Sequence, residues 1–296
     1  MLLGALEAGG TKMVVAVGNE EGQIADTLSI PTTAPEETIA GIIQFFHKHE
    51  IKALGIGCFG PLDLHASSLT YGYITSTPKL SWKNYPILKT LKDALQVPVA
   101  LDTDVNGAAL AESTMGAARG LKSCLYVTVG TGIGGGLVIE GNLVHGLMHP
   151  ELGHMLLRPL QEDPAPDGFC PYHKGCLEGL ACGPAMEKRW GISAKEMGPE
   201  HPAWALEAKY LAQMCVNAIV SFSPEKIILG GGVMQQMHLF PMIRNEVQRL
   251  LGGYVQHEAI LSKMDEYIIA PGLLTKSGIV GAFLLAKKAL HQEKRI

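Results

Sequence analysis

LLGALEAGGTKMVVAV (Leu2–Val17) and SCLYVTVGTGIGGGLVIEG (Ser123–Gly141) state one pattern twice. Each reads as an apolar strand, a glycine turn and a second strand. Outward from each copy the same order repeats. A further extended segment leads to an apolar helix. In the first half it runs roughly over Glu36–His49, with Ile39, Ile42, Ile43 and Phe46 at helical spacing; in the second, over Trp204–Phe222, with Leu211, Met214, Cys215, Ala218 and Ile219. After each helix comes a strand ending in small residues, ALGIGCFGPLD (Ala53–Asp63) and KIILGGGVM (Lys226–Met234). The pattern predicts a duplicated α/β architecture with a break near Gly116–Lys122. Residues 1–117 form the first domain and 118–276 the second. A last helix over 277–296 joins the first domain, with Ser277 as its cap and its lysines toward the end that favours cations.

Composition sets outer bounds. The 296 residues are 47% hydrophobic, enough for two cored domains, and a formal net charge of -4 offers no footprint for nucleic acid or an acidic membrane. The start MLLGALEAGG lacks a basic leader, and no apolar run is long enough to span a bilayer. Six cysteines are sparse for this length, and Cys58, Cys124 and Cys215 sit in apolar surroundings, which suits a reduced cytoplasm.

Glycine turns in both halves suggest walls that reach toward phosphate. Backbone N–H groups of such turns can point at an anion, and Thr131 adds a hydroxyl. The ordinary alternative is a tight hairpin. A Walker loop is absent, and Gly130, Gly132 and Gly135 match a dinucleotide fingerprint by letter only, because a strand and not a helix follows.

A separate cluster lies between Glu151 and Glu178. His154, Cys170, His173 and Cys176 follow H-x15-C-x2-H-x2-C, the soft ligands and count that close a tetrahedral zinc shell. A closed shell implies a structural ion. The prolines of RPLQEDPAPD (Arg158–Asp167) make the intervening stretch a loop. The plain reading is a zinc knuckle; the sharper one has Glu151 and Glu178 held rigid to grip a polar ligand.

With LEAGGTK, DTDVNGAALAE, VGTGIGGG, PELGH, CPYHKGC and LGGGV in this order, the chain resembles the ROK family of sugar kinases over nearly its whole length. Within it the C-P-Y-H-x-x-C form resembles the bacterial fructokinases. The resemblance implies actin-like, ribonuclease H-like ATPase domains with a cleft between them, ATP as co-substrate, magnesium, a structural zinc and a hexose, first fructose. It implies that Asp104 is the general base, although an Asp before VNGAALAEST is also a natural helix cap. Asp102 is secondary. Glu151, His154 and Glu178 would contact sugar hydroxyls, with His154 using one nitrogen for zinc and the other for sugar; Asn106 and Asp63 are weaker candidates. Gly9, Gly10, Thr11 and Lys12 would line the nucleotide from one side, and Gly130, Thr131 and Gly132 from the other. Gly230, Gly231 and Gly232 would lie under adenosine, with Cys182–Gly191 nearby. Glu7 stands where many members have Asp, and its longer carboxylate could reach magnesium through water. Thr103 replaces an Asn common in glucose-phosphorylating members and, with the altered metal segment, leans from glucose toward fructose; a glucose, mannose or N-acetylmannosamine kinase is the alternative within the family. The family also contains sugar-sensing regulators, which need a DNA-binding segment. A homodimer is the assembly the resemblance suggests.

Overall fold

The computed structural model describes residues 1–293; the final positions of the expected 277–296 helix lie outside the described residues. The chain divides into two compact units. Unit 1 is Met1–Thr114, Leu143–Pro150 and the chain from Lys276 onward; unit 2 is Met115–Asn142 and Glu151–Thr275. The expectation of one continuous second domain over 118–276 did not include the return of 143–150 to unit 1. The reason is a pair of histidines in that segment, described below.

The sheet of unit 1 holds β1 (Leu3–Ala8), β2 (Lys12–Gly18), β3 (Ile24–Pro31), β4 (Leu54–Cys58) and β5 (Val99–Thr103), in the order β3-β2-β1-β4-β5. Its first three strands pair antiparallel, and β4 and β5 continue in parallel. The second sheet holds β6 (Cys124–Val129), β7 (Ile133–Ile139), β8 (Asn142–Leu143), β9 (Ile227–Gly230) and β10 (Ile268–Ile269), in the order β10-β9-β6-β7-β8. A hairpin with an outer third strand and two parallel strands on the other side is the plan of both. The duplication expected from the two quoted stretches is therefore present strand for strand.

Helices α1 (Pro35–Phe46), α2 (Ile87–Leu95) and α3 (Asp104–Thr114) belong to unit 1. Unit 2 has α4 (Leu177–Ala181), α5 (Gly183–Trp190), α6 (Ala203–Phe222), α7 (Leu239–Leu251), α8 (Glu258–Leu261) and α9 (Met264–Tyr267); α10 (Ser277–Glu293) returns to unit 1. Pro35 at the first turn of α1 suits its preset φ, and Glu36 and Glu37 complement the helix dipole there. The helix stops before the expected His49 because Lys48 and His49 donate to Phe45 and Phe46, three residues back, which tightens the last turn. In unit 1 the core joins Leu6, Val15, Ile42, Phe46, Ile56 and Trp82, all essentially buried. Each such large side chain contributes about 1.5–3 kcal/mol relative to exposure. Helix α10 lies against β1, β4, β5 and α3. The Ser277 hydroxyl donates at 2.6 Å to the buried Glu112 carboxylate of α3, so the residue expected as a cap also ties two helices together. Among the described residues, no helix is long and apolar enough to cross a membrane.

Candidate functional site

In unit 1, β5 runs directly into α3 at the sequence DTDVN. The helix begins at Asp104, and its capping bond comes from Thr103, whose Oγ1 accepts the Asn106 N–H at 3.1 Å. Thr103, and not Asp104, is thus the cap. Asp104 accepts local backbone N–H groups, among them that of Val105 on Oδ1 at 2.9 Å. Burial raises its carboxyl above the ordinary range, and that N–H partly counters the rise. Glu7, at the end of β1, is pushed up to about 7, first by burial and then by the nearby Asp104 charge, while Lys12 pulls it down. Two carboxylates that resist ionising together fit a place where a cation would be welcome.

Asp102 is only 4% exposed and fully engaged. Its Oδ1 accepts the Thr103 N–H and the Asn106 side-chain amide, each at 2.8 Å, and its Oδ2 lies 3.0 Å from His145 Nε2. That hydrogen bond raises the His145 pKa. Asn106 is wholly buried and its amide N–H holds Asp102, while its Oδ1 has no hydrogen-bond partner among the described residues. His149, also buried, accepts the Leu62 N–H at 2.9 Å, and desolvation lowers its pKa. These two histidines fasten residues 143–150 to unit 1. Sequence reasoning missed His145; its signal was the pair of histidines in VHGLMHP just before PELGH. Asp63 follows the turn reading: its carboxylate accepts from the His65 N–H and the Ser68 and Thr70 hydroxyls, which lowers its pKa.

The turn between β1 and β2 closes with the Gly9 N–H on the Lys12 carbonyl at 3.1 Å. Thr11 and Lys12 are exposed, and Gly9 and Gly10 half-buried. A Cβ on Gly10 would stand 2.9 Å from Lys79 Cε. That neighbour came from no sequence motif.

Unit 2 brings all four expected metal ligands together. The ligand atoms of His154, Cys170, His173 and Cys176 lie within 4.8 Å of one another. Cys170 Sγ is 3.9 Å from His154 Nδ1 and 3.7 Å from His173 Nδ1, and Cys176 Sγ is 3.8 Å from His154 Nδ1. Zinc at its usual bond lengths puts nitrogen and sulfur about 3.6 Å apart on a tetrahedral edge, so the set fits. Burial pushes the Cys176 thiol up to about 11, with Cys170 beside it adding to the rise, so a thiolate here calls for a cation. His154 turns Nδ1 to the sulfurs, and Nε2 points elsewhere. The intervening loop is non-helical as expected, and Asp163 anchors it: a buried carboxylate that accepts from Arg189 Nε at 2.8 Å and the Tyr210 hydroxyl at 2.6 Å.

Glu151 is exposed and precedes the short turn Leu152–His154. Glu178, on α4 just past Cys176, reaches the second glycine turn, where its Oε2 accepts the Ile133 N–H at 2.9 Å. A Cβ on Gly132 would stand 2.7 Å from that oxygen. Thr131 is exposed between them. The Gly130 carbonyl accepts the Gly183 N–H at the start of α5 at 2.8 Å, and Gly231, at φ +91°, passes so close to Val129 that a Cβ would meet its carbonyl oxygen at 2.4 Å. Gly130–Gly132, Gly230–Gly232 and the Cys182–Gly191 segment are therefore contiguous within unit 2.

The ROK family profile matches residues 3–289. A fructokinase of Pediococcus pentosaceus is 47% identical over 290 residues, covering 98% of this chain and 99% of that protein. A fructokinase of Zymomonas mobilis is 41% identical, covering 97% of each chain. The crystal structure of a ROK hexokinase from Thermus thermophilus superposes with a TM-score of 0.79 at 28% identity, covering 99% of this chain and 100% of that one.

Proposed function

The chain belongs to the ROK family, and on that premise we propose that it transfers the γ-phosphoryl group of ATP to the primary hydroxyl of a hexose, fructose first, giving fructose 6-phosphate. The observation that carries the chemistry is the division of labour at DTDVN. Thr103 takes the cap and Asp102 the buried bonds, which leaves Asp104 a carboxylate with a raised pKa and only local backbone N–H groups on it. Such a group can accept the proton of an attacking hydroxyl. Phosphoryl transfer asks little covalent work of a protein beyond positioning and charge stabilisation. Magnesium, when bound with the nucleotide, supplies charge neutralisation, and Glu7 and Asp104 are the carboxylates that suit a cation.

Glu151, Glu178 and His154 are assigned to sugar hydroxyls, which both donate and accept. Glu178 keeps one oxygen on Ile133, so its other oxygen is the one for sugar. His173, Cys170, Cys176 and His154 Nδ1 would hold a structural zinc that fixes the His154 ring and so the direction of its Nε2. Gly9, Gly10, Thr11 and Lys12, with Gly130, Thr131 and Gly132, are assigned to phosphates, and Gly230, Gly231 and Gly232 to adenosine. A second reading within the family, a kinase for glucose, mannose or N-acetylmannosamine, differs only in the acceptor.

Steady-state rates on fructose, mannose, glucose and N-acetylmannosamine with ATP and magnesium test the proposal. The highest kcat/KM is expected for fructose. Turnover on none of the four sugars would overturn the kinase reading and favour a sugar-sensing regulator.

A further inference from the structure

Between β4 and α2 the chain makes a long excursion that carries TPKLSW (Thr77–Trp82). The segment is braced at several points. Thr77 is 2% exposed, and its Oγ1 accepts the Lys79 N–H at 3.3 Å. The Lys79 carbonyl accepts the Trp82 N–H at 2.8 Å, and the buried Trp82 indole donates to the Thr33 carbonyl at 2.8 Å. Both backbone groups of Lys79 are thus fixed to neighbours that are themselves fixed.

The side chain of Lys79 lies over the first glycine turn. A Cβ on Gly10 would stand 2.9 Å from its Cε and 3.9 Å from its Nζ. Lys79 is half-buried. Lys89, Lys209 and Lys287 pair with Asp93, Glu162 and Glu20, whereas among the described residues no carboxylate pairs with Lys79. This half-buried side chain without a carboxylate partner stands above a glycine turn whose backbone suits an anion.

We propose that Lys79 is a phosphate-binding residue for the nucleotide, its ammonium meeting the outer phosphates over Gly9 and Gly10. The proposal rests on the assignment of the first glycine turn to ATP. The long methylene stem covers the turn, and the charge at its end supplies what the exposed Lys12 supplies only through solvent. Gly10 is small because a side chain there would displace this stem.

Calorimetric titration of the magnesium-supplied full chain with ADP and with adenosine, for wild type, Lys79→Met and Lys79→Arg, tests it. Loss of one charge-assisted contact predicts ADP affinity about ten- to a hundredfold weaker in Lys79→Met, with adenosine and fructose affinities within about twofold of wild type. Lys79→Arg should recover most of the loss, and the KM for ATP should rise in parallel with the ADP Kd. ADP and adenosine weakened equally, or ADP unchanged, would overturn the role of Lys79. Wild type that binds ADP but phosphorylates no hexose would overturn the kinase reading while this result still decides Lys79. Wild type that binds no ADP would overturn both.

Discussion

The turn after β1 and the turn after β6 carry similar letters, AGGTK and VGTGI, yet different things cover them. Over the first lies the flexible end of Lys79; around the second stand the Glu178 carboxylate, the backbone of Gly183 and the GGG strand end. The first is a turn whose surroundings are charged and can move. The second is a turn closed in by one carboxylate and by backbone that cannot move. Unit 1 holds the perturbed carboxylates Glu7 and Asp104 and the histidines His145 and His149, while unit 2 holds a built ligand cage. One glycine pattern can therefore stand beside proton chemistry in one copy and beside rigid placement in the other.

The largest effect should come from the unit 1 side. Asp104→Asn is expected to lower kcat at least about a hundredfold while fructose and ADP affinities stay within a few-fold. Near-normal turnover would remove the base from unit 1 and with it half of the contrast. Next is a matched pair of glycine substitutions. Gly231→Ala places a Cβ 2.4 Å from a backbone oxygen at φ +91° and should cost about 2–4 kcal/mol in denaturant unfolding. Gly10→Ala meets only the movable Lys79 tip and should cost under about 1 kcal/mol while weakening ADP binding. Equal losses of stability would break the distinction between the movable cover of the first turn and the backbone that Gly231 packs against Val129 beside the second.

Removal of the proposed zinc should act on unit 2 alone. Chelation, or Cys176→Ser, is expected to weaken fructose binding about tenfold and to expose the Arg158–Asp167 loop to protease, with ADP affinity unchanged. An unchanged fructose Kd in protein shown to contain no zinc would end the structural-metal reading. The smallest effect concerns Glu7. Because its folded pKa is raised to about 7, folding binds a proton there, and the cost of ionising it grows as pH rises from 4.5 to about 7. Glu7→Gln should therefore stabilise the nucleotide-free protein by about 1–2 kcal/mol at pH 8 and by nothing at pH 4. Equal stabilisation at both values would show that packing, not charge, governs the position.

Both sheets were legible because each depends on a local pattern: apolar runs, a glycine break and a helix at fixed order. The metal set was legible for the same reason, since three of its ligands sit within Cys170–Cys176. What the sequence hid depends on distant partners. An Asp before a helix looks like a cap until Thr103 is seen to take that bond. Asn106 reads as a polar ligand, and nothing in the sequence shows that its amide N–H meets Asp102 in the core. Lys79 is 69 positions from Gly10, and no periodicity joins them. The return of 143–150 to unit 1 likewise rests on His145 meeting Asp102, a partner 43 positions away that the histidine pair alone does not name.

Helix α10 packs on β1, β4, β5 and α3, and the hydroxyl at its start is held by Glu112. On the ribosome this has a temporal meaning. The five strands of unit 1 emerge before unit 2, but the helix that covers them is made after it. At a synthesis rate of about 5–20 residues per second, the nascent sheet waits roughly 10–40 s for its cover. During that interval its apolar face is work for a chaperone, and the unit whose strands come out earlier is the one covered later.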